Sequence, residues 1–445
     1  MMTTILQKYE LRINQLLYTF SRMNKRNFLY IVVTDYPYGI GEPFLETELF
    51  ILAKAFKKIY LVIPETHLVD SSKTRYKLPE NTEIIELSTM AGKLDKVKAL
   101  ARIKDATSRL ERKYIIDHYK QTFDNYHIRI LIGFRAMADA FSRSFSKVLE
   151  LHAHPPKETT LYSYWFTYAT AGLINIKTNK PDYNIVTRIH GWDCYYERNP
   201  HNYLPLRPWV FSRIDGVYSI SEQGLNYTTS KLRGIFNNNI HTSYLGIEDL
   251  PEPNRRQFQS DKFHIVSLAF IDPVKQLDRI IDALCLIESQ QIEWTHIGNS
   301  PRGNRDLEDY ASLTLGEKPN IKFRFIGELS KTEVFQFFEN QKPDALICTS
   351  RSEGLPVSMM EAMAHGIPVI SVNVGGISEI VKDPCNGSLL PADADTKLIA
   401  QTIENWSLRD EASRISTSQG AYQTYKEYFS ATKNYTRFLK EALQR

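Results

Sequence analysis

The chain of 445 residues lacks the features that mark several specialised protein classes. It has only four cysteines, at positions 194, 285, 348 and 385. They show no C-x-x-C spacing, which argues against a structural zinc site or a disulfide framework and fits reduced thiols in the cytosol. The longest purely apolar runs are strand-sized, far below the ~18 residues that cross a bilayer, and no signal peptide is visible. With 20 Gly and 20 Pro, low-complexity and collagen-like chains are excluded.

Charge is unevenly distributed between the two halves of the chain. Up to Leu250 there are 33 basic and 25 acidic residues, a net +8, and the remainder has 22 and 26, a net −4. A basic first half suits an anionic partner, such as a membrane surface or a phosphate-bearing substrate, although a solvated basic face explains it equally well. Residues 92–120, a helical stretch with nine Lys and Arg, are the main source of this bias.

Two lobes with parallel sheets are predicted from the alternation of strands and helices. A polar, proline-marked segment at 251–256 is the predicted boundary between an N-terminal lobe over 28–250 and a C-terminal lobe over 257–425. A last helix, 426–445, is expected to pack back on the N-terminal lobe. The predicted strands lie at 28–34, 58–63, 83–87, 148–152, 184–189 and 216–220, then 263–268, 293–297, 321–326, 344–348 and 368–372.

An amphipathic helix is predicted at the N-terminus, over residues 1–27. Its apolar stripe and basic flank suit an anionic membrane surface, and packing on protein is the alternative with equal weight. The stripe consists of Ile5, Tyr9, Ile13, Leu16, Leu17 and Phe20, and the basic residues are Lys8, Arg12, Arg22, Lys25 and Arg26.

The segment from Ser350 to Val369 carries the most chemistry. It places Glu353 on a loop after a strand and Glu361 inside the helix that follows a Gly-Leu-Pro turn. Such a turn offers backbone N–H groups to an anion, and a carboxylate inside the helix can accept paired hydroxyls. This chemistry suits a nucleotide sugar, and a capping Ser with a solvated Glu is the alternative.

These residues resemble the retaining glycosyltransferases of family 4. The resemblance rests on Glu353-x7-Glu361 followed by Gly366-Ile-Pro-Val-Ile and Gly375-Gly-Ile-Ser-Glu379, and it covers most of the chain. Further matching elements are Arg188-Ile-His-Gly-Trp-Asp193, Tyr244-Leu-Gly-Ile247, Pro273-Val-Lys275 and the glycine loop Gly39-Ile-Gly41. The family implies a GT-B fold, in which two Rossmann-like parallel-sheet lobes face a central cleft.

The resemblance also implies roles for individual residues. Glu361 would accept hydrogen bonds from the ribose hydroxyls of the donor. Glu353 would face the donor sugar, and Lys275 would neutralise the charge of the diphosphate. His190 would sit by the reacting carbon with Asp193 as its loop companion. The predicted catalytic residues are therefore His190, Asp193 and Glu353. The predicted nucleotide-sugar-binding residues are Gly39, Gly41, Lys275, Gly298, Arg351, Gly354, Leu355 and Glu361.

One position departs from the family pattern. Many members have an arginine ahead of the lysine as a second phosphate clamp, whereas this chain reads Ala269-Phe270-Ile271. Metal is not expected to replace it, because the only Asp-x-Asp, Asp393-Ala-Asp395, fits helix capping. His152 and His154 have a spacing that could bind zinc, but the sequence places no Cys or acidic partner near them. No cofactor is expected.

The predicted function is transfer of a sugar from a nucleoside-diphosphate sugar to a saccharide acceptor with retention of configuration. The acceptor is expected on the basic lobe, either free or lipid-linked, in surface polysaccharide or glycoconjugate biosynthesis. No nucleic acid is expected, and the expected location is the cytoplasm or the inner face of its membrane. The alternatives are a sugar-nucleotide epimerase or phosphorylase on the same fold, and a non-catalytic sugar-binding scaffold.

Overall fold

The computed structural model describes residues 26–39, 41–64, 74–119, 123–232, 239–253, 262–300, 303 and 305–445. The N-terminal helix is predicted over residues 1–27. Its residues 1–25 lie outside the described part of the chain. Within the described part, the chain forms two compact units. The first contains the described residues up to Ile220, those of Gly224–Ser243, and Tyr435–Arg445. The second contains Ser221–Gln223 and the described residues of Tyr244–Asn434.

The first unit is built on a seven-stranded sheet in which every pairing is parallel, with strand order β3-β2-β1-β4-β5-β6-β7. Its strands are β1 Phe28–Val32, β2 Lys58–Ile63, β3 Thr82–Glu86, β4 Thr159–Ser163, β5 Asn184–Ile189, β6 Gly216–Ser219 and β7 Ile240–Thr242. The order runs outward in both directions from β1 and β4. The loops that leave these two strands therefore flank the topological switch point, where ligands bind in sheets of this kind.

Helices cover both faces of this sheet. They are α1 Leu45–Leu52, α2 Lys93–Ala101, α3 Ala106–Tyr119, α4 Asn125–His152, α5 Tyr168–Asn179, α6 Arg207–Phe211 and α7 Glu222–Lys231, with 3₁₀ turns at Pro156–Glu158, Tyr196–Arg198 and Pro200–Asn202. Alternate residues of β1 enter different apolar clusters: Tyr30 packs in one, and Leu29 and Ile31 in the other. Burial on both faces explains the nearly continuous apolar strands of the sequence.

The second unit has a six-stranded sheet, also parallel at every pairing, with strand order β10-β9-β8-β11-β12-β13. Its strands are β8 Phe263–Leu268, β9 Ile292–Ile297, β10 Ile321–Phe325, β11 Ala345–Cys348, β12 Val369–Val372 and β13 Gly387–Leu390. The switch point lies between β8 and β11. Together with the first sheet, this confirms the predicted class of two Rossmann-like parallel-sheet lobes.

The helices of the second unit begin with α8 and end near the return to the first unit. They are α8 Asp278–Cys285, α9 Asp306–Leu315, α10 Lys331–Gln341, α11 Val357–Ala364, α12 Ile377–Ile380, α13 Thr396–Ser407 and α14 Glu411–Thr424, with a 3₁₀ turn at Pro273–Lys275 and a π-helix at Tyr425–Phe429. Helix α15, Ala431–Phe438, and a π-helix at Leu439–Leu443 end the chain. Asp395 caps α13 by accepting from the Leu398 N–H at 2.8 Å, as predicted.

The predicted strand at 148–152 is wrong, because these residues form the last turn of α4. Phe141, Phe145 and Leu149 are buried at intervals of four, which is helical spacing. A short apolar run looks alike in a strand and in a buried helix, and here the helix continues until Ala153 ends it in the left-handed conformation. Strands β4, β7 and β13 were not predicted.

None of the described helices is both long enough and apolar enough to cross a membrane.

Candidate active site

The loops after β8 and β11 meet at the switch point of the second unit. The chain leaves β8, makes a 3₁₀ turn over Pro273–Lys275, and passes through Gln276 in the left-handed conformation, at φ 48°. Asp272 begins this turn by accepting the N–H of Val274 at 2.9 Å. The short turn therefore fixes the point from which the Lys275 side chain extends.

Hydrogen bonds join this turn to the loop after β11. The Arg351 N–H donates to the Val274 carbonyl at 2.7 Å, and the Thr349 hydroxyl donates to the Gln276 carbonyl at 2.8 Å. Lys275 Nζ then lies 2.7 Å from Glu353 Oε1. Glu353 is buried, whereas about a quarter of the Lys275 side chain is exposed. The structure thus brings two predicted site residues into one ion pair.

Backbone donors lie beside this ion pair. The N–H groups of Gly354 and Leu355 donate no hydrogen bond among the described residues, and the turn that they form leads into α11. Gly375 packs against this turn at φ +58°, and a Cβ there would overlap the Glu353 carbonyl oxygen. Glycine at this position lets the loop after β12 reach the turn. The result is a cluster of unpaired N–H groups next to a lysine, which suits an anionic ligand.

Gly298 and Arg351 lie at the same edge of the second sheet. Gly298 follows β9 at φ +140° and donates its N–H to the Gly327 carbonyl at 2.8 Å. A Cβ on Gly298 would overlap the Ala269 carbonyl oxygen, so glycine allows the loops after β8 and β9 to touch. The Arg351 side chain is exposed and forms no ion pair within the described part of the chain.

Glu361 lies one turn inside α11. Burial of its carboxyl raises the pKa to about 7, while the positive charge of Lys331 lowers that pKa and the negative charge of Glu248 raises it further. Lys331 and Glu248 form an ion pair of their own at 2.9 Å. The Glu361 carboxyl therefore titrates near neutral pH.

The two predicted catalytic residues of the first unit, His190 and Asp193, lie directly after β5. The Asp193 carboxylate accepts the His190 N–H at 2.7 Å and the Phe166 N–H at 2.8 Å. The backbone carbonyl oxygen of Asp193 accepts a hydrogen bond from the Arg207 guanidinium. Burial raises the pKa of Asp193 to about 6, with the Arg207 charge acting in the opposite direction. Asp193 thus fixes the backbone at His190.

The imidazole of His190 is buried among aromatic rings. Its centroid lies 4.1 Å from that of Trp165 and 5.1 Å from that of Tyr164. Burial, and then the charge of Arg188, hold the pKa of His190 well below its usual range. Neither ring nitrogen has a hydrogen-bond partner among the described residues. A neutral imidazole with two unpaired nitrogens suits a polar ligand better than an apolar core.

The glycine loop after β1 is organised around acidic side chains. Glu42 is buried and accepts the backbone N–H groups of Thr34 and Tyr36, each at 3.0 Å, and the Trp165 indole N–H at 2.6 Å. Burial raises the pKa of Glu42 to about 7, although the hydrogen bonds from the backbone N–H groups oppose the shift. The Glu42 carboxyl thus accepts the backbone N–H groups at the start of this loop.

Gly39 and Gly41 both face Asp35 in this loop. The Gly39 N–H donates to the Asp35 carbonyl at 2.8 Å, and the Gly41 N–H donates to the Asp35 carboxylate at 3.4 Å. The part assigned to these two glycines in nucleotide-sugar binding stays a prediction.

An apolar pocket of about 270 Å³ lies next to the His190 loop. Trp192 lines it and stacks on Trp165 with ring centroids 5.6 Å apart. Phe134, Phe166, Thr167, Tyr168, Leu204, Pro205 and Arg207 complete the lining. The pocket therefore shares a wall with the aromatic surroundings of His190.

His152 and His154 each bind a tyrosine. His152 Nδ1 lies 2.8 Å from the Tyr30 hydroxyl, and His154 Nε2 lies 2.9 Å from the Tyr60 hydroxyl. Within the described ranges, no group of three or more His, Cys, Asp or Glu is placed to hold a metal ion.

Several residues at these sites were not predicted from the sequence. Glu42 and Trp165 contact each other across distant loops, and no local spacing marks them. Lys331 and Glu248 come close to Glu361 only through the fold. A signal did exist for Trp192, which lies inside the predicted His190 loop.

Part of the chain is similar to a known protein family. Residues 251–424 match the family described as glycosyl transferases group 1, which confirms the resemblance for this segment, whereas family 4 stays a prediction. AmsK of Erwinia amylovora, an amylovoran biosynthesis glycosyltransferase, is 31% identical over 179 residues, 37% of this chain and 41% of AmsK. The chain covers only 41% to 66% of the length of the curated relatives compared.

Solved structures resemble the chain over most of its length. Sucrose-phosphate synthase from Thermosynechococcus elongatus has a TM-score of 0.67 at 15% identity, covering 93% of this chain and 98% of its own. HepE of Anabaena, in complex with UDP and glucose, has a TM-score of 0.60 at 14% identity with the same coverage. At such identities the likeness concerns the fold, and it confirms the expected GT-B fold.

Proposed function

Because residues 251–424 match the glycosyl transferases group 1, we propose that the protein is a glycosyltransferase of polysaccharide biosynthesis. It would transfer a sugar from a nucleoside-diphosphate sugar to a saccharide acceptor, free or lipid-linked, with retention of configuration. The observation that carries this proposal is the ion pair between Lys275 and Glu353, 2.7 Å long, beside the unpaired N–H groups of Gly354 and Leu355.

The donor would bind to the second unit. Its diphosphate would bind to the Lys275 ammonium and accept hydrogen bonds from the N–H groups of the Gly354 turn, since both favour negative charge. Glu353, released from Lys275, would then accept a hydroxyl of the donor sugar. Glu361 would accept the ribose hydroxyls. The complex of HepE with UDP and glucose shows that this fold accommodates such ligands, which supports a nucleotide sugar as the donor.

The reaction exchanges one bond at the anomeric carbon for another. The bond to the diphosphate oxygen breaks as the bond to the acceptor oxygen forms on the same face, and the leaving phosphate oxygen takes the acceptor proton. Lys275 would stabilise the charge that develops on the leaving group. His190 is neutral, and its unpaired ring nitrogens would form hydrogen bonds with sugar hydroxyls without transferring a proton. We propose no metal or cofactor for this reaction.

Two experiments test the proposal. A thermal-shift screen of UDP, GDP and ADP and of their sugars would identify the donor, because a ligand at ~100 times its Kd stabilises by roughly 2.7 kcal/mol. Labelled donor incubated with and without saccharide acceptor then separates transfer from epimerisation, which needs no acceptor. If no nucleotide stabilises the chain, or if the donor changes without acceptor, the proposal is wrong.

A further inference from the structure

The pocket next to the His190 loop has an almost entirely apolar wall. The apolar side chains of this wall are Phe134, Phe166, Trp192, Leu204 and Pro205. The Thr167 hydroxyl, which also lines the pocket, already accepts the Ala169 N–H at 3.2 Å. A sugar ring with free hydroxyls would lose its hydrogen bonds to water in this pocket and regain few of them. The pocket therefore suits an apolar group with little hydrogen-bonding capacity.

One buried donor interrupts this apolar wall. Arg207 lines the pocket and is only 1% exposed, with its guanidinium carbon 3.8 Å from the centre of the Phe166 ring. The guanidinium donates to the Asp193 carbonyl, but Nε of Arg207 has no hydrogen-bond partner among the described residues. Buried polar groups in folded proteins are nearly always paired with protein or with ordered water. A ligand in the pocket can supply the missing acceptor.

The charge of Arg207 is already balanced by carboxyl groups of the protein. Burial raises the pKa of Asp193 to about 6 and that of Glu111 to about 7, and the nearby Arg207 charge opposes both rises. Glu111 is held in place because it accepts the Leu206 N–H at 3.0 Å. With two carboxyls close to one guanidinium, a further anion in the pocket would be repelled. The acceptor that suits Nε is therefore a neutral oxygen, such as a carbonyl.

An acyl group combines these properties, since it has one carbonyl oxygen and an alkyl part without hydroxyls. We propose that the pocket binds the acyl substituent of an acylated acceptor sugar. The carbonyl oxygen accepts from Arg207 Nε, and the alkyl part packs against Trp192 and Phe166. With a volume of about 270 Å³, the pocket has room for acyl chains longer than acetyl.

The position of the pocket places such a sugar beside the proposed reaction centre. Trp192 stacks on Trp165 with ring centroids 5.6 Å apart, and the Trp165 centroid lies 4.1 Å from that of His190. Trp192 is 44% exposed, so a sugar ring can pack on its open side while the acyl group enters the pocket. The inference rests on the proposed function, which it deepens by assigning the acceptor to the acylated sugars.

Saturation-transfer NMR on the full chain, observing the ligand, tests the proposal with free sugars. The probes are N-acetylglucosamine and N-acetylgalactosamine, their parents glucose and galactose, and N-butanoylglucosamine. Each sugar is titrated without nucleotide and again with saturating UDP, GDP or ADP, so that an acceptor site completed by a bound nucleotide is also detected.

Two variants alter the pocket in different ways. Trp192→Ala removes an exposed part of the wall, and Arg207→Lys keeps the positive charge near Asp193 and Glu111 but loses the Nε donor. The matched controls are Trp209→Ala and Arg213→Lys, which change residues outside the pocket lining. Thermal unfolding checks that each variant is folded. Trp192→Ala keeps the test decisive if Arg207→Lys does not fold.

Both N-acetylated sugars are expected to bind about tenfold more tightly than their parents, with the strongest saturation on the acyl methyl group. The butanoyl sugar should bind about tenfold more tightly again, because two more methylene groups are buried. Trp192→Ala and Arg207→Lys should each reduce the preference for acylated sugars severalfold, and both controls should keep it.

Three outcomes would overturn the proposal: equal affinity for acylated and parent sugars, no binding of any sugar under any of these conditions, or an undiminished preference in the folded variants. None of these outcomes concerns the binding of nucleotides alone. Conversely, a chain that no nucleotide stabilises would contradict the proposed function and leave the comparison between sugars valid.

Discussion

The ammonium of Lys275 lies 2.7 Å from the carboxylate of Glu353, and each comes from a different side of the switch point in the second sheet. Neither residue is near the other in sequence. The loop after β8 supplies the cation and the loop after β11 the anion, so the pairing exists only because β8 and β11 are neighbours. A diphosphate that binds here has to compete with Glu353 for Lys275.

Replacing Lys275 with Gln should therefore lower turnover more than donor affinity. The leaving group gains charge as its bond breaks, so the lysine interaction strengthens in the transition state, and its loss is expected to cost about 10²- to 10³-fold in kcat. Steady-state kinetics with calorimetric donor binding checks this. Lys322→Gln, an exposed lysine of the same unit, serves as the control. A large loss of donor affinity with unchanged kcat would contradict the assigned role.

Glu361 gives a prediction about pH. Its pKa is raised to about 7, mainly by burial, and in the proposed complex the ribose hydroxyls would donate hydrogen bonds to the ionised form. Because ligand binding favours the charged carboxylate, affinity for a nucleotide sugar should rise with pH and level off above the pKa. The expected gain between about pH 6 and pH 8 is roughly tenfold, the change in ionised fraction across that pKa.

Calorimetry with the nucleotide sugar measures this effect cleanly, because its diphosphate diester does not titrate in that range. Glu361→Gln should bind more weakly at pH 8 and show no pH dependence. His190→Ala should keep the pH dependence, because burial holds the pKa of the His190 imidazole well below its usual range. A wild-type affinity that does not change from pH 6 to pH 8 would contradict the assignment of Glu361 to the ribose hydroxyls.

Much of this arrangement was accessible from the sequence. Strands β2, β5 and β8 have the predicted bounds, because both faces of each are buried and their apolar runs are continuous. Lys275 and Glu353 could be placed at the same edge of one sheet, since both follow strands. The order of the strands, and hence the 2.7 Å contact, could not, because it depends on crossover connections that leave no local pattern.

The errors arose where burial was misread. The run at 148–152 looks like a strand in isolation, and only its register with Phe141 and Phe145 reveals the helix. Glu42 would pass for a solvated residue after a glycine, yet it is buried and organises the loop after β1. The sequence at α2 showed its basic charge, but which side of the helix faces water depends on the packing of Asp95 and Ala99.

Trp192 should contribute to acceptor binding. It lines the apolar pocket next to His190 and is 44% exposed, so its removal leaves the core of the first unit intact. Trp192→Ala is expected to raise the acceptor KM about tenfold while donor affinity stays unchanged, because aromatic rings stack on the apolar faces of sugars. Trp209→Ala, a partly buried tryptophan outside that pocket, is the control. An unchanged acceptor KM would show that the pocket has no part in transfer.

The buried ion pair between Arg188 and Glu48 should control the stability of the first unit. Both side chains are fully buried and 3.1 Å apart, and Arg188 also binds the Tyr162 hydroxyl at 2.9 Å and the Ser243 carbonyl at 2.9 Å. Arg188→Met strands the Glu48 carboxylate in an apolar interior, which typically costs about 3 to 5 kcal/mol. Arg188→Met/Glu48→Met leaves no buried charge and is expected to recover most of that loss.

The pH dependence of this destabilisation distinguishes a stranded charge from a packing defect. Burial raises the pKa of Glu48 even in the wild type, and the Arg188 charge opposes that rise. Without Arg188 the folded-state pKa rises further, so the Arg188→Met chain is stabilised by a bound proton at low pH and loses that stability as the pH increases. Urea unfolding at about pH 5 and about pH 8 should therefore show a smaller difference from the wild type at the lower pH. Other buried carboxyls titrate in both proteins and cancel in the comparison. An equal loss at both pH values, with no recovery in the double variant, would mean that Arg188 acts through its packing on Phe438, 4.2 Å from its guanidinium, rather than through its charge.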